Sequence, residues 1–292
     1  MRQSDAARLV ALSAIWGASF IFIRVLAPVL GPVLTVTTRV LLGGAVLIAY
    51  CRFTGFDAGL SRHWRHYVVI GIVNSTLPFM LFAFAALHLP ASYSVILNST
   101  TPLFTALLAV PLLGERLTSP KILGLVAGAA GVVLVSRAGP VVPDLWFAAA
   151  VVACLGAAIC YAVSSIYMKK HAAGAKPLAI AGWSQIFAGL ALLPLVPFAP
   201  PTGSITPLIA ANVAALALFC SSIAYVLYYR LIADIGPTRA LTVAFLMPAF
   251  GMLWGALFLD ETITLPMIAG CALVIGGATV VLRPARERPR RL

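Results

Sequence analysis

Residues 177–229 contain no Asp, Glu, Lys, Arg or His. A soluble domain carries about a quarter charged residues, because its surface faces water. A charge-free stretch of this length has no solvated face. It is also too long for one membrane helix, which needs roughly 20 apolar residues. It therefore demands two crossings joined by a polar-poor loop, Pro197 to Pro207. The rest of the 292-residue chain agrees, at 62% hydrophobic and 10% charged, with a mean hydropathy of +1.04. Lipid cannot satisfy a bare backbone, so only helices or a closed barrel can span it. The apolar runs are continuous rather than alternating, which selects helices.

Charges, prolines and glycines divide the chain into ten apolar segments, near 7–26, 33–51, 67–87, 91–113, 121–136, 146–168, 178–198, 208–229, 238–259 and 265–282. With the N-terminus inside, 17 of the 20 lysines and arginines fall in inner segments, Arg137 alone falls in an outer loop, and Arg24 and Arg39 lie within or beside helices. That bias predicts ten crossings in the inner (plasma) membrane, with both termini cytoplasmic. The net charge of +12 then reads as membrane orientation, with the bilayer and not nucleic acid as partner. The basic tail, 283–292, reads as a cytoplasmic anchor. Arg2, Arg8 and the run Leu9–Ile23 imitate a signal peptide, but Trp16-Gly17, Arg24 and the lack of a small-x-small cleavage site favour a retained first helix. Cys51, Cys154, Cys160, Cys220 and Cys271 form no CxxC pair and read as small apolar residues, so no metal or cofactor is expected.

The chain also repeats itself. An offset of 146 pairs Pro102 with Pro248, Gly114 with Asp260, Glu115 with Glu261, Thr118 with Thr264, Gly124 with Gly270 and Gly131 with Gly277. An offset of 145 pairs Trp16 with Tyr161, Ser19 with Ser164 and Arg24 with Lys169. Five helices per copy is an odd number, so the second copy enters from the other side. The loop holding Arg116 and Lys121 has as its mate a loop holding only Asp260 and Glu261, as opposite orientation predicts. The expected fold is all-α, with ten transmembrane helices as two inverted repeats, 8–137 and 146–282. Such repeats are a feature of carriers, though channels use them too.

Trp16-Gly17, Ser19, Phe20, Arg39, Pro102, Gly-Glu-Arg-Leu-Thr (114–118), Gly124 to Gly131, Pro248, Asp260-Glu261-Thr262 and Gly270 to Gly277 together resemble the drug/metabolite transporter superfamily, in particular proteins with two EamA domains. The resemblance covers nearly the whole chain. It implies a ten-helix inner-membrane carrier, often an exporter of amino acids, sugars or other metabolites. The second copy departs from the pattern where Tyr161-Ala162 replaces Trp-Gly.

A proline inside a helix releases the carbonyl four residues earlier. Pro78 releases that of Asn74, Pro102 that of Asn98, and Pro248 that of Ala244. The polar cluster Asn74–Thr76, Ser94 and Asn98–Thr101 is costly against lipid, so it either lines a mid-membrane cavity or bonds between helices. Arg24 sits where it can snorkel to the outer interface. Arg39 lies deeper and can hold a substrate carboxylate or phosphate, or form a structural pair. Trp16, Tyr93, Tyr161, Tyr167, Trp183, Tyr225, Tyr228 and Tyr229 can stack on a substrate or serve packing and interfacial belts. The substrate-site candidates are thus Trp16, Arg39, Asn74, Tyr93, Asn98, Tyr161, Trp183 and Tyr225. Pro78, Pro102, Pro248, Glu115 and Glu261 are the conformational or gating candidates, the two glutamates also as salt bridges or helix-end caps. Gly124, Gly128, Gly276 and Gly277 are expected at close helix contacts.

No acid lies in the middle of the first helix, which disfavours proton coupling there. The leading reading is an exporter of small polar metabolites working by alternating access, as a monomer or homodimer. A multidrug transporter or a flippase for lipid-linked intermediates is the alternative. A membrane enzyme is disfavoured, because there is no HExxH, no intramembrane aspartate pair, and His63, His66 and His171 are placed in loops.

Overall fold

The structure, a computed structural model, describes residues 2–56, 59–138, 144–172, 174–240 and 242–282. The basic tail 283–292 lies outside the described residues. Among those described there are helices and connections and no strand. Seven helices are long and apolar enough to cross a membrane: α1 (Gln3–Phe53), α2 (Leu60–His88), α3 (Ala91–Leu113), α4 (Ser119–Arg137), α5 (Leu145–His171), α6 (Pro177–Phe198) and α7 (Pro207–Ile235). Two shorter apolar helices follow, α8 (Val243–Leu259) and α9 (Leu265–Val281).

At 51 residues, α1 would be about 76 Å long if straight, against a hydrocarbon core of about 30 Å. It is not straight. Gly31 has φ 74° and ψ 161°, between Pro28 and Pro32, a left-handed φ that suits glycine. The two limbs then run side by side. Cys220 of α7 bonds the carbonyl of Ile15, while its near neighbour Ser222 bonds that of Gly43. The break frees carbonyls, and the connection between α6 and α7 satisfies them. Thr202 Oγ1 donates to Pro28 O at 2.6 Å, and the Thr202 and Gly203 amides donate to Val29 O at 2.9 and 3.0 Å.

Other helices start where side chains can cap them. Asp144 accepts from the Phe147 amide, Thr206 from Ile209 and Thr264 from Met267. Two helices widen into π-type turns, α2 at Gly71–Thr76 and α7 at Leu218–Ile223. α2 also begins earlier than its apolar run, at Leu60, so His63 and His66 lie on its first turns and not in a loop, and His171 is the last residue of α5. The reason is amphipathic spacing: Tyr67 and Ile70 are buried while Arg62 and Arg65 are exposed.

The interior admits polar groups among its apolar core, and the exposed surface is apolar. Ser13, Thr37, Arg39, Ser75, Ser164, Gln185 and Ser221 are buried, while Leu123, Val126, Leu208, Leu257 and Phe258 are more than 60% exposed. That pattern suits a lipid solvent, and the chain is a multi-pass membrane protein.

The tightest helix pair is α4 with α9, where glycines bring the backbones together. A Cβ on Gly131 would meet Gly270 O at 2.6 Å, and one on Gly124 would meet Gly277 O at 2.7 Å. The register runs antiparallel, and the two contacts exchange under the 146-residue offset. Gly276 faces open space, contrary to the expectation for it, because it lies off the face that meets α4. At one end of α3, Glu261 accepts from the amides of Ala91 and Ser92 at 2.6 and 3.0 Å. These are first-turn donors that the helix cannot satisfy itself. At the other end, Glu115 pairs with Lys121 at 3.0 Å and Lys169 at 3.9 Å.

Gly277→Ala is expected to lower the unfolding midpoint in detergent clearly, since its Cβ would collide with Gly124 O and approach Gly128 N at 2.9 Å. Gly276→Ala, one residue away, is expected to be nearly neutral. Equal losses in the two variants would contradict the close-contact account.

Candidate functional site

A cavity of about 410 Å³ lies within the bundle. Both limbs of α1 and helices α2, α3, α5, α7 and α8 contribute to its wall. The interruptions of the helices converge on it. Asn74 belongs to the π-type turn of α2 and Cys220 to that of α7. Asn98 and Ser99 stand where α3 pauses before resuming at Thr101. Pro102 therefore sits in the first turn of a resumed helix and does not kink a continuous one. The Asn98 carbonyl is taken up by Thr101 Oγ1 at 2.7 Å. Pro248 does lie inside α8, and Ala244, whose carbonyl it releases, lines the cavity.

Arg39 is the cation of this wall. Its side chain is buried. Its guanidinium carbon stands 3.9 Å from the Phe79 ring centroid, and its Nε donates to Ser221 Oγ at 3.2 Å. The approach is possible because Gly43, one turn along α1, has no side chain. A Cβ there would meet Ser221 Cβ at 2.7 Å. Among the described residues no carboxylate pairs with Arg39.

Aromatic rings line the same cavity. Trp16 meets Tyr225 edge-on at 6.0 Å and Tyr228 at 5.2 Å. Phe20 meets Phe82 edge-on at 5.2 Å, and Phe82 stacks on Tyr161 at 6.3 Å. Most hydroxyls are turned to their own helices: Ser19 donates to Trp16 O, Ser99 to Val95 O, Thr105 to Thr101 O and Ser165 to Tyr161 O. Asn98 Oδ1 is a buried acceptor with no partner among the described residues.

Six of the eight expected site residues thus line one cavity: Trp16, Arg39, Asn74, Asn98, Tyr161 and Tyr225. Two lie elsewhere. Tyr93 is fully buried and packs edge-on against Phe147 at 5.8 Å in the core between α3 and α5. Trp183 packs near Phe187 on α6, in a cluster with Tyr67 and Ile180. Arg24 reaches the carbonyl of Ala86 near the end of α2. Among the gating candidates Pro102 lines the cavity, while Glu115 and Glu261 stand at opposite ends of α3. Residue-by-residue reading missed Phe79, Phe82, Cys220 and Ser221. A signal existed for Ser221: an offset of 147 carries the polar Asn74-Ser75 onto Ser221-Ser222.

A second cavity, of about 670 Å³, adjoins the first. Thr105, Ser165 and Leu282 line both. Its wall carries Arg116, Lys121, Lys169 and Glu115. Among the described residues, no group of His, Cys, Asp and Glu is arranged to hold a metal ion.

The sequence matches the EamA-like transporter family over residues 6–137 and again over 148–283. It is 25% identical over 295 aligned residues to the transporter YvbV of Bacillus subtilis (strain 168), covering 96% of this chain and 92% of that one. It is 26% identical to Protein PecM of Dickeya dadantii (strain 3937), covering 91% and 88%. It is 24% identical to a protein of Streptantibioticus cattleyicolor named "Probable terminal-alkyne amino-acid exporter", covering 99% and 97%. A solved crystal structure shares the fold at a TM-score of 0.67 and 22% identity, with 97% of each chain covered.

Ser221→Ala removes an acceptor from a buried guanidinium, which costs about 1–3 kcal/mol. A lower unfolding midpoint is expected, against no change for Ser204→Ala in the exposed connection before α7. Equal midpoints for the two variants would show that the Arg39–Ser221 bond adds nothing.

Proposed function

Since the chain belongs to the EamA-like transporter family, we propose that it is a plasma-membrane exporter of a small polar metabolite bearing a carboxylate, such as an amino acid, working by alternating access. The observation that carries this reading is Arg39, a buried cation that lines a central cavity and has no described carboxylate partner. A charge inside a membrane bundle marks a pathway or a paired site, and a carboxylate substrate completes the pair. The rings of Trp16, Tyr161 and Tyr225 offer an apolar seat for the rest of the molecule. The relative named as an amino-acid exporter supports the same substrate class.

The proposed frame has ten crossings. The two limbs of α1 supply two, α2 to α7 supply six, and α8 and α9 the last two. The repeats span 8–137 and 146–282, in opposite orientation with both termini cytoplasmic. The reciprocal glycine contacts of α4 with α9 support a two-fold relation between them, since a two-fold axis makes such contacts exchange. The π-type turns, from Gly71 and from Leu218, also fall at nearly equivalent positions.

Alternating access needs one end closed while the other is open. Here Glu261 holds the first turn of α3 at the outer end, and the cavity adjoins the basic vestibule at the inner end. The state is inward-open. Glu261 acts as the outer latch, and Glu115 is its repeat mate in the opened half.

The test is counterflow of labelled amino acids and related metabolites in proteoliposomes. Arg39→Ala is expected to reduce flux about 10- to 100-fold, the equivalent of a lost charge-assisted contact. Undiminished flux at equal incorporation removes Arg39 from the site. No flux of any candidate through folded protein counts against the carrier itself.

A further inference from the structure

We infer that the cargo is an organic monoanion with an apolar or aromatic body, exported on the membrane potential alone. This rests on the carrier and carboxylate parts of the reading above; it replaces the amino-acid example with a carboxylate that lacks the ammonium, and it names the driving force.

The charge inventory of the cavity carries the first half. Arg39 is the one arginine or lysine among the described residues of the wall, and no Asp or Glu stands there. The described acids, Asp5, Glu115, Asp144, Asp234, Asp260 and Glu261, all lie at helix ends or connections. Phe79 covers the guanidinium and Ser221 takes Nε, which leaves the terminal nitrogens as charged donors for a ligand. Their planar fork matches a carboxylate. A zwitterion would bring an ammonium two bonds from that carboxylate. It would sit close to the guanidinium, in a low dielectric, with only neutral acceptors such as Asn98 Oδ1. An anion lacking the ammonium avoids that repulsion. The aromatic wall of Trp16, Phe20, Phe82, Tyr161 and Tyr225 fits its body.

The vestibule is an independent observation. Arg116, Lys121 and Lys169 outnumber Glu115 there, and the vestibule shares Thr105 and Ser165 with the central cavity. A cleft with a net positive charge raises the local concentration of anions. Anions are gathered at the end from which export begins.

The driving force follows from charge balance. A uniporter of a monoanion moves one negative charge outward per turnover, and the empty carrier returns with Arg39 bare. An interior held 100 mV negative then supports about a 50-fold outward gradient. No second ion is required, and the cavity wall holds no carboxylate among its described residues to carry a proton.

Phenylpyruvate and L-phenylalanine share a benzyl group and a carboxylate and differ in a keto group against an ammonium. Their efflux is measured from proteoliposomes with the potential clamped by potassium gradients and valinomycin. Phenylpyruvate is expected to leave at least about 10-fold faster and to accelerate as the interior is made negative, and phenylalanine flux is expected to be indifferent to potential. Arg39→Lys is expected to keep the voltage response, and Arg39→Gln to lose phenylpyruvate flux. If Arg39→Gln does not fold, the wild-type pair still decides. Phenylalanine flux equal to or above that of phenylpyruvate, or phenylpyruvate flux indifferent to potential, overturns the inference and leaves the carrier reading intact. No flux of these or of the wider metabolite panel overturns both.

Discussion

Hydrocarbon gives the backbone nothing to bond with, and the architecture depends on that constraint. A helix satisfies its own backbone, so every place where this chain stops being regular needs another partner inside the protein. Those partners are present. At Gly31 they come from Thr202 and Gly203. At the pause in α3, Thr101 takes the carbonyl of Asn98, and Thr100 takes that of Leu97 at 2.6 Å. At the end of α3, Glu261 supplies the acceptor that the first turn lacks. Between the ends of the helices irregularity is tolerated only where it faces protein or a cavity, and the pause in α3 and the π-type turns of α2 and α7 all reach the cavity wall.

Arg39 shows the same logic applied to charge. Burying a cation is costly unless something compensates. Phe79 and Ser221 compensate in part, through a ring face and one hydroxyl. The close approach that places them depends on Gly43, which lets α7 come within contact of α1. A glycine one turn away, rather than any ligand-contacting residue, thus fixes where the charge sits. An unpaired charge stabilised only partly within the empty protein is well suited to bind an opposite charge reversibly.

Much of this was legible in the sequence, because lipid imposes a simple code. Continuous apolar runs mark helices, and most segment ends fell close to those observed; amphipathic spacing carried α2 back to Leu60, α7 runs on to Ile235, α8 begins only at Val243, and the first two segments form one helix broken at Gly31. The prolines and the polar cluster near Asn74 and Asn98 pointed to the cavity, because polar groups must leave the lipid face. What was not legible was direction around a helix. Tyr93 and Tyr225 look equally suitable in sequence, yet Tyr93 turns into the core against Phe147 and Tyr225 toward the cavity. Rotation is set by packing, as when Gly251 admits Val95 of α3, and no single-residue feature announces that. The π-type turns shift the helical register after them, so a straight count of 3.6 residues per turn misplaces Ser221.

The repeat explains why the two ends differ. Two similar halves can pack symmetrically only if both ends are equally closed or equally open, and neither arrangement can move cargo in one direction. In this structure the equivalents have different company: Glu261 holds amides of α3, while Glu115 is shared between Lys121 and Lys169. Both arrangements satisfy a carboxylate, one with backbone donors and one with side chains. Two conformations of comparable free energy are what a carrier needs, since a ligand shifts an equilibrium only by its differential affinity for the two states. The glycine seam of α4 with α9 joins the two halves through backbone contact, with no long side chains to repack.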